Sequence, residues 1–250
     1  MSDLRIDWRA PWLAPLRDLR PHVERTDWRE ALSDAARRRN VCTTHGAPIE
    51  FVAADDAGSS AYEAHIAATG RVPTRDNAHD LINALVWLAY PLTKAALNAR
   101  QAQELARDGV RSTRGPVRDA ATLIDESGLL LAADSGACAA LARLDWPWLF
   151  AAQRARWQQD WVPFAFGHAL IEKLLEPYKG LTAAVLCLPA SAAEGESVDR
   201  AAATWVQSAA LAPRLLAHLP VLGIPGWWPA NEDPDFYADA AVFRVRCDAS

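Results

Sequence analysis

Hydrophobic positions recur with helical spacing along much of the chain, and the stretch 77–98 carries the pattern furthest. Asn77 suits an N-cap, and Asp80 follows three residues on, where the helix dipole favours a carboxylate. Past that cap the residues are apolar nearly all round, which predicts a buried helix over 77–89 that Pro91 ends or kinks. A second helical run follows from Leu92 to about Arg107. Upstream, 27–39 has helical composition and 49–52 reads as a short strand. A loop covers 55–60, a short helix 61–69 stops at Gly70, and 71–76 is a loop. Downstream, two apolar runs flanking Glu126-Ser127-Gly128 predict a β-hairpin over 122–131. Helices are expected over 135–144, 146–161 and 164–176. The apolar run 181–188 suits either a helix or a strand. An acidic flexible loop at 192–197 and a helix over 201–217, split by Pro213, come next. The tail 219–246, rich in Pro, Gly and Trp, reads as an extended wrapping segment closed by a strand over 241–246. These elements predict an α+β fold, mainly helical: one domain with an arm and helix at 1–40, a core at 41–218 and a wrapping segment at 219–250.

Composition fits that picture. With 250 residues, 51% hydrophobic and 23% charged, the chain is globular and long enough for a sizeable core. A net charge of −5 argues against general duplex-DNA binding, which needs a basic face. The basic run Arg37-Arg38-Arg39 reads as a solvated helix end. Four cysteines without a Cys-x-x-Cys pair argue against a zinc ribbon or a thioredoxin-type site, and suggest free thiols in a reducing cytosol. The charged stretch 1–15 is not the pattern of a signal peptide, and no apolar run reaches the ~18 residues of a membrane span. Lysine occurs only at 94, 173 and 179, and asparagine at 40, 77, 83, 98 and 231, in an arginine-rich chain. Where arginine is the default cation, each lysine is expected to be used as a compact ammonium.

Polar groups inside apolar helices are the chemistry to explain. His79 and Asn83 share a helix face at i, i+4, and a buried Asn83 needs partners. His79, Asp80 and His168 are the candidate catalytic groups. Arg75, Asn83, Lys94, Asn98, Arg118, Asp119 and Lys173 are candidate ligand-binding residues. Lys94, Asn98 and Gln101 form a second polar stripe, for which an ion pair between Lys94 and a nearby Asp is the plainer alternative to ligand binding. His168 and Glu172, at i, i+4, can place two metal ligands together, or form a simple His–Glu hydrogen bond. Asp125 stays open between metal ligation and turn chemistry, while Glu126 reads as a turn residue. A divalent metal bound by His168, Glu172 and Asp125 is thus one expectation, and a hydrogen-bonded structural network is its competitor. No phosphate loop, nucleophile elbow or dinucleotide fingerprint is present.

Several segments together resemble the DUF3025 family. They are Pro73-Thr74-Arg75-Asp76-Asn77-Ala78-His79-Asp80 with Asn83-Ala84-Leu85-Val86-Trp87, Lys94 and Asn98; the run from Arg118-Asp119 to Asp125-Glu126-Ser127-Gly128; Phe166-Gly167-His168-Ala169-Leu170; Pro177-Tyr178-Lys179-Gly180; and Leu222-Gly223-Ile224-Pro225-Gly226-Trp227. The resemblance implies a bacterial cytosolic protein and supplies neither activity nor cofactor. The sequence supports three readings. One is metal-assisted hydrolysis of a phosphate-containing small molecule or nucleotide. Another is a non-catalytic module binding a ligand or a protein partner, and the third is a purely structural polar network. Oligomeric state is not written in the sequence.

Overall fold

The computed structural model describes residues 4–54, 62–108, 115–193, 196–208, 211–213 and 216–244. The predicted loop at 55–60 falls outside them. Helices dominate: α1 (Arg20–Val23), α2 (Trp28–Arg38), α3 (Tyr62–Thr69), α4 (Ala78–Ala89), α5 (Pro91–Asp108), α6 (Pro116–Ser127), α7 (Ser135–Arg143), α8 (His168–Lys173) and α9 (Glu196–Gln207). The strands are β1 (Glu50–Ala53), β2 (Arg71–Thr74), β3 (Gly128–Ala133), β4 (Val162–Ala165), β5 (Thr182–Pro189) and β6 (Ala217–Pro220). The fold is α+β and mainly helical.

The strands form two small sheets. One pairs β1 and β2 in parallel, with α3 as the crossover. The other has the order β4-β3-β5-β6, with β3 and β5 parallel and both edge strands antiparallel. All six residues of β3 are buried, as a central strand covered on both faces requires. A continuous hydrophobic core runs from Trp12 in the N-terminal arm to Phe243 near the other end. In the tail, buried Asn231 donates to the carbonyls of Leu222 and Ile224, fixing a segment without regular structure.

The predicted hairpin at 122–131 is instead the end of a helix running into a strand. Ala120, Ala121 and Ile124 are the buried positions of α6, a helical spacing, and the Gly128 amide caps the Ile124 carbonyl before β3 begins. Residues that suit a turn also suit a helix C-terminus, so the composition misleads. The segment 146–161 is not a regular helix. It holds one π-turn (Pro147–Ala152), one 3-10 turn (Arg154–Arg156) and a bridge between Trp157 and Trp161. Its indoles each need a partner, and Trp157 Nε1 finds the Leu149 carbonyl at 2.8 Å. The helix expected over 164–176 shortens to α8, because Phe164 lies in β4. Residues 71–74 are strand rather than loop, with Pro73 tolerated in a two-stranded edge pairing.

The run 181–188 resolves to strand β5. Of the acidic loop expected at 192–197, Ala192 ends a 3-10 turn and Glu196 opens α9, with 194–195 outside the described residues. The helix expected over 201–217 stops at Gln207, and Ala217 begins β6. No strand forms over 241–244. There the amides of Val242 and Phe243 turn back onto the Asp239 carbonyl and Phe243 enters an aromatic cluster. No helix among the described residues is long and apolar enough to cross a membrane.

Candidate metal centre

Three helix termini build the site. Asn77 caps α4 as expected, accepting the Asp80 amide at 2.7 Å, and this places His79 in the first turn. The last turn of α6 supplies Asp125 and Glu126. His168 opens α8 directly after Gly167. Gly167 has to be glycine. A Cβ there would lie 2.3 Å from the Gly128 nitrogen and 2.6 Å from the Glu126 carbonyl oxygen. That close approach sets His168 against the end of α6, where its Nδ1 meets the Asp125 carbonyl at 2.7 Å. This carbonyl is one of those a helix end leaves without an internal partner.

The two imidazoles converge. His79 Nε2 and His168 Nε2 are 3.0 Å apart, and Glu126 Oε2 lies 3.5 Å from His168 Nε2. The donor atoms of His79, Glu126 and His168 all fall within 4.8 Å of one another. His79 Nδ1 contacts Glu172 Oε2 at 2.8 Å. Both Nδ1 partners, a carboxylate and a carbonyl, accept hydrogen bonds. Each neutral ring therefore carries its proton on Nδ1 and turns the Nε2 lone pair toward the other ring. Two facing lone pairs at that distance repel unless a cation or a shared proton sits between them. Burial holds the His168 imidazole below its ordinary pKa, against the attraction of Asp125, which works against the proton. A divalent ion satisfies both nitrogens and Glu126 at once. The 3.0 Å separation is short enough for one ion, with metal–nitrogen bonds of about 2.0–2.1 Å, to reach both nitrogens.

The structure groups these residues differently from the expected set. Glu172 contacts His79 and not its own-helix neighbour His168, so it orients that imidazole. Asp125 contributes its carbonyl to His168, and its carboxylate is engaged by Lys94 at 2.5 Å. Glu126, assigned to turn chemistry, is the carboxylate beside the imidazoles. The hairpin reading hid it, because a hairpin tip would have pointed it at solvent.

Behind the imidazoles lies a closed polar network. Lys94 is 4% exposed, and its Nζ donates to Asn83 Oδ1 at 2.9 Å and to Asp125 while lying over the Trp87 ring. The Lys94–Asp ion pair expected as the alternative to ligand binding is present. Asn83 also donates to the Tyr62 hydroxyl, whose ring is otherwise half exposed. Asn98 donates to the Glu63 carboxylate at 2.6 Å and to its carbonyl. Burial, with the nearby Asp125 charge, pushes the Glu63 carboxyl up to about 7, despite that hydrogen bond. Desolvation acts to raise the Asp125 carboxyl, but Lys94 and His168 hold it below the usual carboxylate range.

Asp80 is committed elsewhere. Its carboxylate accepts from the Arg75 backbone amide at 2.7 Å and from Arg75 Nε and Nη2 at 3.0 Å each. Burial opposes its ionisation, yet the Arg75 bonds outweigh it and keep the pKa low. Its oxygens are thus committed to Arg75.

A cavity of about 370 Å³ opens onto the cluster, lined by Tyr62, Glu63, Arg75, His79, Asp80 and Asn83 on one side and Asp125, Glu126 and His168 on the other. A larger groove of about 1360 Å³ lies between the N-terminal arm, β4 and α9, lined by residues such as Pro11, Phe164 and Ala203. It carries none of the converging imidazoles and carboxylates, so the smaller cavity is the chemical one. Lys173 and Asp119 are exposed and line neither. Arg118 is half buried, its charge acts on Glu63, and its Nε has no hydrogen-bond partner among the described residues. Glu63 and Tyr62 were not among the expected site residues, since α3 by itself shows only a short amphipathic turn.

Residues 49–247 match the family described as "Protein of unknown function (DUF3025)". No curated protein and no solved structure matches the chain.

Proposed function

The chain belongs to this family, DUF3025, and we propose that it is a divalent-metal-dependent hydrolase. Its ligands are His79, His168 and Glu126. The observation that carries the reading is the pair of Nε2 atoms 3.0 Å apart, each on a ring whose Nδ1 is already bonded to an acceptor. Such outer partners fix ring orientation and raise ligand basicity at metal sites. These three residues would hold the ion from one side, where the cavity meets them. When bound there, the ion supplies a Lewis acid for a substrate oxygen and an acidified water. Glu63 lines the same cavity, and its carboxyl, pushed up to about 7 by burial and Asp125, would be placed to exchange a proton there.

The structural-network reading is supported for the inner half of the site alone, by the buried Lys94, Asn83 and Asp125 group. The two readings divide the polar set between them: the inner half holds helices together, and the outer half does chemistry.

Metal analysis and calorimetric titration with Mn²⁺ and Zn²⁺ test the proposal. One ion per chain is expected for the wild type, with at least tenfold weaker binding for His79→Ala, His168→Ala and Glu126→Gln. A folded wild type that takes up neither ion refutes the metal centre.

A further inference from the structure

Arg75 is the only Lys or Arg among the described residues that line the cavity, and it is held in an unusual way. Its side chain is 66% exposed, whereas the Asp80 side chain that grips it is 10% exposed. Exposed arginines normally sample many rotamers, and an ion pair at the surface contributes little. Here a largely buried carboxylate spends both oxygens on one guanidinium and the amide of the same residue. Nε and Nη2 are taken up by that grip. Nη1 makes no hydrogen bond among the described residues, so its donors remain for a ligand in a preset orientation.

The surroundings select the ligand's charge. The first turn of α4, with His79 and Asp80, lines the same cavity, so the positive end of a twelve-residue helix adds to the guanidinium. The carboxylates of the site are engaged: Asp80 with Arg75, Asp125 with Lys94, Glu172 with His79, Glu63 with Asn98, and Glu126 beside the imidazole nitrogens. With a dication bound, that ion and Arg75 are the positive groups facing the open part of the cavity.

We infer that Arg75 is an oxyanion-binding subsite, so that the substrate is a small molecule carrying a phosphate or carboxylate group set apart from the bond presented to the metal. This rests on the metal reading. Asp80 is then a positioning residue, which accounts for its position beside His79 without a proton-transfer role.

The test is binding of inorganic phosphate, and separately of acetate, to the Mn²⁺-loaded protein, followed by calorimetry and by ³¹P relaxation for phosphate. Arg75→Met is expected to weaken phosphate or acetate binding about tenfold, the loss of one charge-assisted hydrogen bond, with Mn²⁺ affinity unchanged within about twofold. Arg75→Lys keeps a cation beside Asp80 but loses the planar fork, and should fall between the two even if the methionine variant folds poorly. The anion that responds more strongly identifies the substrate's group. Equal anion binding by wild type and both variants, or no anion binding by the metal-loaded wild type at 10-millimolar order, overturns the subsite and leaves the metal centre standing. Failure to take up Mn²⁺ overturns both.

Discussion

At the scale of single residues, the decisive fact is which atom of each imidazole is already occupied. His79 and His168 bond through Nδ1 to Glu172 and to a main-chain carbonyl. That leaves both Nε2 atoms facing one another at 3.0 Å. Glu63 shows the complementary effect, a carboxyl whose proton is held more tightly because of burial beside Asp125. Its folded pKa, about 7, lies above the unfolded value near 4.5. Between those values the folded state binds more protons than the unfolded state, so this group's contribution to stability falls as pH rises from about 4.5 to 7. Removing the carboxyl removes the decline. The melting temperature of Glu63→Gln, relative to wild type, is therefore expected to climb across that interval in metal-free buffer. A constant difference from pH 4.5 to 7.5 contradicts the assignment.

At the scale of elements, the site depends on how closely α8 approaches the end of α6. Gly167 permits that approach, with its amide bonded to the Gly128 carbonyl at 2.8 Å. Gly167→Ala should force the two segments apart. Overpacking of this kind costs about 1–3 kcal/mol in urea unfolding. Because the Asp125 carbonyl would lose its hold on His168 Nδ1, Mn²⁺ affinity should also drop by roughly 10–100-fold, the usual effect of losing an outer partner. An alanine variant with wild-type metal affinity would show that the glycine serves packing alone. Element assignment was also where sequence reading succeeded and failed most visibly. The cap of α4, and the burial of that helix from Asp80 to Leu88, followed from Asn77 and a nearly unbroken apolar run. The 122–131 region was misread, since Leu-Ile-Asp-Glu-Ser-Gly satisfies both a helix end and a hairpin turn. Only packing against the body decides which period the chain adopts.

At the scale of the molecule, Lys94 ties three helices into one body. It starts from α5, reaches Asn83 on α4 and Asp125 on α6, and stacks over Trp87. Removing one partner of a buried pair leaves the other charge without compensation. Lys94→Met is therefore expected to lower unfolding free energy by about 3–5 kcal/mol. The double variant with Asp125→Leu should recover much of that loss, because no orphaned charge remains. If Lys94→Met alone costs under about 1 kcal/mol, the network does not hold the helices.

The sequence by itself determined the mainly helical α+β character, the buried polar helix 77–89, and most of the residues that meet in the site: Arg75, His79, Asp80, Asn83, Lys94, Asp125, His168 and Glu172. Polar side chains in an apolar helix must find partners, so their importance is legible from local pattern alone. Their pairing is not. Glu172 and His168 are four apart on one short helix, yet Glu172 bonds to His79, 93 residues away. Glu126 moves from a supposed turn to the end of α6 that faces the two imidazoles. Glu63 joins from a helix whose own pattern shows nothing special. These outcomes depend on the relative placement of α3, α4, α6 and α8. That placement is set by side-chain packing across the whole core, and it leaves no periodic trace in any one segment.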